Sequence, residues 1–266
     1  MEWKLGVTQW SLPCAPVDCV EMAAALDLQA VQIDLGAAET GYLLTDAALQ
    51  SRLCTDAERY GVRIVSVVCN DLCQNGFVHA PGDSRRETAY RTLALGVETA
   101  ARMGVPSVCL PSFFDNRITG EEGYTRTVEA LRYACGLGAQ CGVTVYTENV
   151  MDAAALSRFF QDVGSENLRL LFDSQNYAFM AGIDAVPVFL SARARVGDFL
   201  HVKDGVDGLG RAPLGKGTSG FDRTLQALVA SGFSGYYILE NHYATQEAAK
   251  SEIAGLRGML NRAAQG

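Results

Sequence analysis

The stretch Leu168-Arg169-Leu170-Leu171-Phe172-Asp173-Ser174-Gln175-Asn176 holds the pattern that decides the fold of this chain. A short apolar run without period-2 alternation ends abruptly in a cluster of polar side chains. Such a run fits a strand buried on both faces, as in a parallel sheet covered by helices. The same design recurs at Lys4–Gln9, Ala30–Asp34, Arg63–Val68, Ser107–Leu110, Thr144–Thr147, Asp198–Val202 and Tyr236–Leu239, which with Leu168–Phe172 predicts eight strands. Helical patterns fill the gaps. Ser84–Met103 opens on Asp83 or Ser84 as N-cap and closes at Gly104, and Gly61 and Gly142 end helices just before the next strand. Alternating strands and helices require parallel pairing with helical crossovers. Eight units predict an α/β fold closed as a (β/α)8 TIM barrel, since a doubly wound sheet has about five or six strands. No linker or composition shift divides the chain, so residues 1–266 read as one domain, with Gly205–Gly220 the only long irregular segment late in it.

Composition narrows the function classes. Of 266 residues, 48% are hydrophobic and 20% charged, the profile of an ordinary globular protein. A net charge of −8 argues against nucleic acid or an anionic membrane as partner, because both call for a basic face. No apolar run approaches the roughly 18 residues that span a bilayer. Met1-Glu2-Trp3-Lys4 leads straight into an apolar strand with no targeting pattern, so a cytoplasmic location is expected. The eight cysteines (14, 19, 54, 69, 73, 109, 135 and 141) form no C-x-x-C pair and read as reduced thiols packed as small hydrophobes.

In a (β/α)8 barrel the chemistry sits at the C-terminal ends of the strands. The fifth strand ends Thr147-Glu148-Asn149 and the sixth Phe172-Asp173-Ser174-Gln175-Asn176. The seventh ends His201-Val202-Lys203-Asp204, and the eighth Glu240-Asn241-His242. A lone carboxylate at such a place is often a helix N-cap. Four consecutive strands that each deliver a carboxylate or imidazole to one rim need another reason. Three buried negative charges converging on a point repel unless a cation sits among them. A mixed oxygen and nitrogen set suits one divalent ion, with Mn²⁺, Mg²⁺, Co²⁺ and Zn²⁺ all compatible.

These residues carry a family resemblance. Asp173-Ser174-Gln175-Asn176 followed by Gly182 resembles the D-x-x-N…G signature of the sugar phosphate isomerase/epimerase superfamily, the xylose isomerase-like TIM barrels. His201-Val202-Lys203-Asp204 matches that superfamily's H-x-K-D motif, and Pro213-Leu214-Gly215-Lys216-Gly217 with Phe221-Asp222 its following P-L-G-x-G segment. Glu148 and Glu240 fall where its metal-binding glutamates stand. The resemblance implies that Glu148, Asp173, His201 and Glu240 bind the metal, with manganese expected, and that Glu148 and Glu240 form an acid/base pair on opposite faces of the substrate. It implies an isomerase or epimerase of carbohydrate metabolism, acting on a small sugar, sugar phosphate or keto-polyol through an enediolate. A dehydratase or lyase of the inosose-dehydratase type, or a non-catalytic sugar-binding barrel, uses the same scaffold. Two positions depart from relatives: Asn176 lies where ketohexose epimerases have a histidine nearby, and Lys216 where many carry an acid. The DNA-repair endonucleases of the superfamily need a histidine-rich zinc cluster and a basic surface, which three histidines and a charge of −8 do not provide.

Six further residues are candidates for binding a small carbohydrate. Lys203 can orient a substrate oxygen, unless it pairs with Asp204 or a neighbouring glutamate. Asn176 can hold a ligand or a sugar hydroxyl. His242 follows Glu240 by two residues, His79 lies in the loop after the third strand, and Trp10 can stack on a sugar face. Gly215–Gly220 matches G-x-G-x-x-G without following a strand directly, so a dinucleotide site is not expected, whereas Lys216 could serve a phosphate pocket there. A homo-oligomer is compatible with the sequence.

Overall fold

A computed structural model describes residues 2–265; Met1 and Gly266, the ends of the expected 1–266 domain, lie outside the described residues. Eight strands run parallel: β1 Leu5–Thr8, β2 Ala30–Asp34, β3 Arg63–Val68, β4 Ser107–Pro111, β5 Thr144–Glu148, β6 Leu168–Leu170, β7 Phe199–Val202 and β8 Tyr236–Leu239. They form one sheet in the order β6-β5-β4-β3-β2-β1-β8-β7, each neighbour pair parallel. Helices such as Ser84–Met103, Gly120–Cys141 and Gln246–Ala263 connect and cover the strands. This is the expected (β/α)8 barrel, and among the described residues no helix is long and apolar enough to cross a membrane.

The ring closes between β6 and β7 through isolated bridges rather than a continuous ladder. Leu170 pairs with Val196 and Asp173 with His201, and the His201 N–H donates to the Phe172 carbonyl at 3.0 Å. Strand β6 is shorter than the apolar run Leu168–Phe172, because Asp173 turns the chain into a helical turn at Ser174–Asn176 and caps it. Strands β4 and β5 each extend one residue further than expected, to Pro111 and Glu148. The capping expectations hold: Asp83 accepts the Arg85 N–H at 2.9 Å, and Gly104 ends the helix in the left-handed region at φ 66°.

Two apolar layers separate the elements. A large cluster lies between strands and helices, containing for example Val31, Leu93, Leu131, Phe159 and Leu200. A smaller one takes Ala30, Val65, Val68, Cys109, Tyr146, Leu171, Phe199 and Ile238 from strands all round the ring, which places it inside the barrel. The interior is thus a plug rather than a pore. Tyr146 stacks on Phe199 with centroids 4.5 Å apart, and its hydroxyl accepts the Asp198 N–H at 3.0 Å. All eight cysteines are free, with Cys19, Cys69, Cys109 and Cys135 buried.

Gly197, at the foot of β7, lies so close to the Tyr146 ring that a Cβ there would collide with it. Gly197→Ala is therefore expected to destabilise the fold by about 1–3 kcal/mol, the usual range for overpacking. Thermal unfolding should show a fall in Tm of several degrees, and an unchanged Tm would mean that the barrel plug is loosely packed.

Candidate metal centre

Glu148, Asp173, His201 and Glu240 each offer a ligand atom, and these atoms all lie within 4.8 Å of one another. Glu148 is the last residue of β5, His201 the third of β7, and Asp173 and Glu240 follow β6 and β8 closely. Chemistry-bearing residues from four strands therefore meet at the C-terminal rim, above the apolar plug. Glu148, Asp173 and His201 are buried, at 6%, 1% and 3% exposure.

Most polar atoms of the cluster are already fastened from behind. Asp173 Oδ1 accepts the Gln175 and Asn176 amides at 2.8 and 3.1 Å. Asn176 Nδ2 donates to Glu148 Oε1 at 2.8 Å. Glu240 Oε1 accepts the Trp10 indole N–H at 3.2 Å, and its Oε2 accepts Lys203 Nζ at 2.6 Å. His201 Nε2 lies 2.6 Å from Gln32 Oε1, so Nε2 donates and Nδ1 is the ring nitrogen turned to the carboxylates. That Nδ1 stands 3.0 Å from Glu240 Oε2 and 3.4 Å from Glu148 Oε1, yet makes no hydrogen bond. Asp173 Oδ2 is likewise buried without one, although Lys203 Nζ is 3.0 Å away.

The two orphaned atoms decide the chemistry the site fits. A buried imidazole nitrogen and a buried carboxylate oxygen face the same point as two glutamates, a set that fits a divalent cation once the imidazole gives up its proton. The electrostatics agree. Burial disfavours charge on His201, but Glu240 and Glu148 outweigh it and push the imidazole up to about 10. Burial raises Asp173 to about 6, against the pull of Lys203. At Glu240 burial is overcome by His201 and Lys203, which hold the carboxyl well below its usual range. A metal entering the cluster would take over the counter-charge role and release the imidazole proton.

Glu148 and Glu240 of the cluster line a cavity of about 260 Å³. Four of the six candidates, Trp10, Asn176, Lys203 and His242, line it beside Glu148 and Glu240. Lys203 pairs with Asp173 and Glu240, not with Asp204. The structure does not bring His79 and Lys216 into this cavity. His79 Nε2 lies 2.6 Å from Asp115 Oδ2 and lines a neighbouring groove beyond Phe114. Lys216 is exposed, and the amides of its glycine loop are taken by the carboxylate of Asp204. A larger, mainly apolar groove of about 450 Å³ beside helix Gln246–Ala263 meets the cavity only at His242 and holds none of the four clustered ligands.

Sequence reasoning missed Gln32, Cys73, Phe113 and Leu209. Gln32 left a trace, being the one amide inside the apolar run of β2, fully buried and aimed at His201. Removing an outer hydrogen bond that orients a ligating histidine typically weakens metal affinity by about 10–100-fold. Gln32→Leu should lose Mn²⁺ affinity by that factor in calorimetry while keeping its circular dichroism spectrum. Unchanged affinity would show that His201 is not a ligand held in this way.

A family model described as xylose isomerase-like TIM barrel matches residues 20–259. The 2-epi-5-epi-valiolone 7-phosphate 2-epimerase of Actinoplanes sp. is 31% identical over 252 residues, covering 94% of this chain and 91% of that protein. Among solved structures, a xylose isomerase domain protein from Planctomyces limnophilus superposes with a TM-score of 0.79 at 18% identity, covering 99% of both chains. The 3-keto-D-glucoside 4-epimerase of E. coli gives 0.76 at 16% identity, covering 97% of this chain and 100% of its own. At such identities the structures speak for the fold alone. The family match and the curated relative span nearly the whole barrel, and the chain belongs to the xylose isomerase-like TIM-barrel family, within the sugar phosphate isomerase/epimerase enzymes.

Proposed function

We propose that this enzyme is a divalent-metal-dependent epimerase of a small polyhydroxy ketone, a cyclitol or sugar or its phosphate, with Glu148 and Glu240 as its acid/base pair. The observation that carries the reading is the convergence of two glutamates, an aspartate and a histidine, with both glutamates lining one small cavity. The relative at 31% identity, which by name epimerises a cyclitol phosphate, supports the substrate class. Glu148, Asp173, His201 and Glu240 would hold the metal, with Mn²⁺ the expected ion for this oxygen-rich set. When bound, the metal supplies Lewis-acid stabilisation of the negative charge that develops on the substrate carbonyl oxygen.

The chain's own residues supply the rest. Glu148 ends β5 and Glu240 directly follows β8, with β6 and β7 between them, so they reach a substrate from two sides. One carboxylate takes the proton from the carbon beside the carbonyl. Glu240, held ionised, suits the base, and a proton delivered from Glu148 entering as the carboxylic acid inverts that centre; general acid–base groups of this kind contribute about 10²–10⁴-fold each. Lys203 keeps Glu240 ionised and Asn176 orients Glu148. The Asn176 Oδ1 is buried without a partner in the cavity wall and is placed to accept a substrate hydroxyl. Trp10 holds Glu240 with its indole N–H and presents its ring to the cavity.

The test is incubation of the Mn²⁺-loaded enzyme in D₂O with 2-epi-5-epi-valiolone 7-phosphate, D-tagatose and D-allulose, followed by NMR and mass spectrometry. Deuterium should enter at the carbon beside the carbonyl of at least one ketone, together with its epimer. Glu148→Gln and Glu240→Gln should each lower the rate by at least about 10²-fold. Absence of deuterium with every ketone, or a product lighter by one water, contradicts the proposal.

A further inference from the structure

The loop between β7 and helix Phe221–Ala230 contains the glycine pattern Gly215–Gly220, and its amides converge on an anion supplied by the chain itself. Asp204 is 1% exposed. Its Oδ2 accepts the Gly215 and Gly217 N–H groups at 3.0 and 2.9 Å. Its Oδ1 accepts the Gly205 N–H at 3.0 Å, the Ser219 N–H at 3.4 Å and the Ser219 hydroxyl at 2.8 Å. Among the described residues no lysine, arginine or histidine forms an ion pair with Asp204; the nearest basic neighbour in sequence, Lys203, is engaged by Asp173 and Glu240. A buried carboxylate held by neutral donors alone occupies the kind of concavity that backbone amides otherwise offer to a phosphate. Gly217 permits the close approach, because a Cβ there would collide with the Asp204 carboxylate.

The inner edge of the same loop is fastened by two buried amides that follow cluster residues. Gln175, two residues after Asp173, accepts the Gly210 N–H at 2.8 Å and donates to the Gly208 carbonyl at 3.1 Å. Asn241, next to Glu240, accepts the Asp204 N–H at 3.1 Å and donates to the Ala212 carbonyl at 2.9 Å. Between these anchors Leu209 faces the substrate cavity, and the Gly210 carbonyl accepts the N–H of His242, which lines it too.

We infer that Asp204 is a positioning residue for the epimerase reaction: its carboxylate fills the anion cradle of the glycine loop and thereby sets Leu209 and His242 against the bound substrate. It acts through the loop and touches no reacting atom. The reaction it serves rests on the function proposed above, whereas the cradle itself does not. A substrate phosphate, on this account, is bound elsewhere than in the Gly215–Gly220 amides.

Two variants and two readouts test this. Ser219→Ala removes one donor from the carboxylate, and Asp204→Asn replaces an acceptor oxygen with a donor that faces amide N–H groups. Hydrogen–deuterium exchange read by mass spectrometry should show lost protection across residues 205–220 in both variants, greater in Asp204→Asn, with strand peptides and Mn²⁺ affinity unchanged. On whichever ketone the wild type turns over, KM should rise about tenfold while kcat moves less than about threefold, the pattern of a lost substrate wall. Unchanged exchange overturns the inference, as does lost protection with an unchanged KM. Loss of Mn²⁺ affinity in Ser219→Ala also overturns it, by assigning Asp204 to support of the metal site. A wild type that turns over no ketone defeats the epimerase reading, and the exchange result then decides alone whether Asp204 holds the loop.

Discussion

Three carboxylates and an imidazole held within 4.8 Å of one another in a buried rim are a repulsive arrangement, and much of the surrounding structure manages that repulsion. Lys203 supplies one buried positive charge, shared between Asp173 and Glu240. Neutral donors take the outward lone pairs: backbone amides on Asp173, Asn176 on Glu148, Trp10 on Glu240. What they leave free points inward. Lys203 and the imidazole of His201 together balance two of three carboxylates, and a divalent cation in place of the imidazole proton would complete the set. The same groups that would be liabilities in a core thus form a cluster that could hold a metal ion.

This cluster and the barrel closure are one feature of the fold. The seam between β6 and β7 lacks a continuous ladder, and one of its bridges joins Asp173 to His201. Two of the four ligands therefore face each other across the weakest join in the sheet. The tyrosine–phenylalanine stack inside the barrel supports the strands below, while the polar ends stand above in the cavity. Beyond the ligands, Gln175, Asp204 and Asn241 carry the same three strand ends outward and tie down the loop that walls the site. The seam takes Asp173 and His201 from the cluster itself, whereas the loop is held by their chain neighbours.

The strands and the meeting of Glu148, Asp173, His201 and Glu240 are legible in the sequence because each of these residues interrupts or ends an apolar run that must be buried. Burial turns a local pattern into a statement about place, and the barrel rule turns place into convergence. Strand β6 ends two residues earlier than the apolar run, although Leu171 and Phe172 still bond to the neighbouring strands, because Asp173 turns the chain into a helical turn. Gln32 carried a readable signal, an amide inside a buried strand, but its partner lies 169 residues away. The roles of Gln175, Asp204 and Asn241 were hidden for the same reason: short polar residues after a strand look like caps until their distant partners are known. His79 shows the converse, a loop histidine near the right rim that a neighbouring aspartate claims.

The most direct test of the account is anomalous diffraction from crystals of the protein grown with Mn²⁺. The account predicts one strong peak within about 2.5 Å of Glu148, Asp173 and Glu240 oxygens and of the Nδ1 of His201. His201 Nε2 should remain on Gln32 in the same map. A peak elsewhere, no peak at saturating Mn²⁺, or a peak bound by the Nε2 of His201 would contradict it.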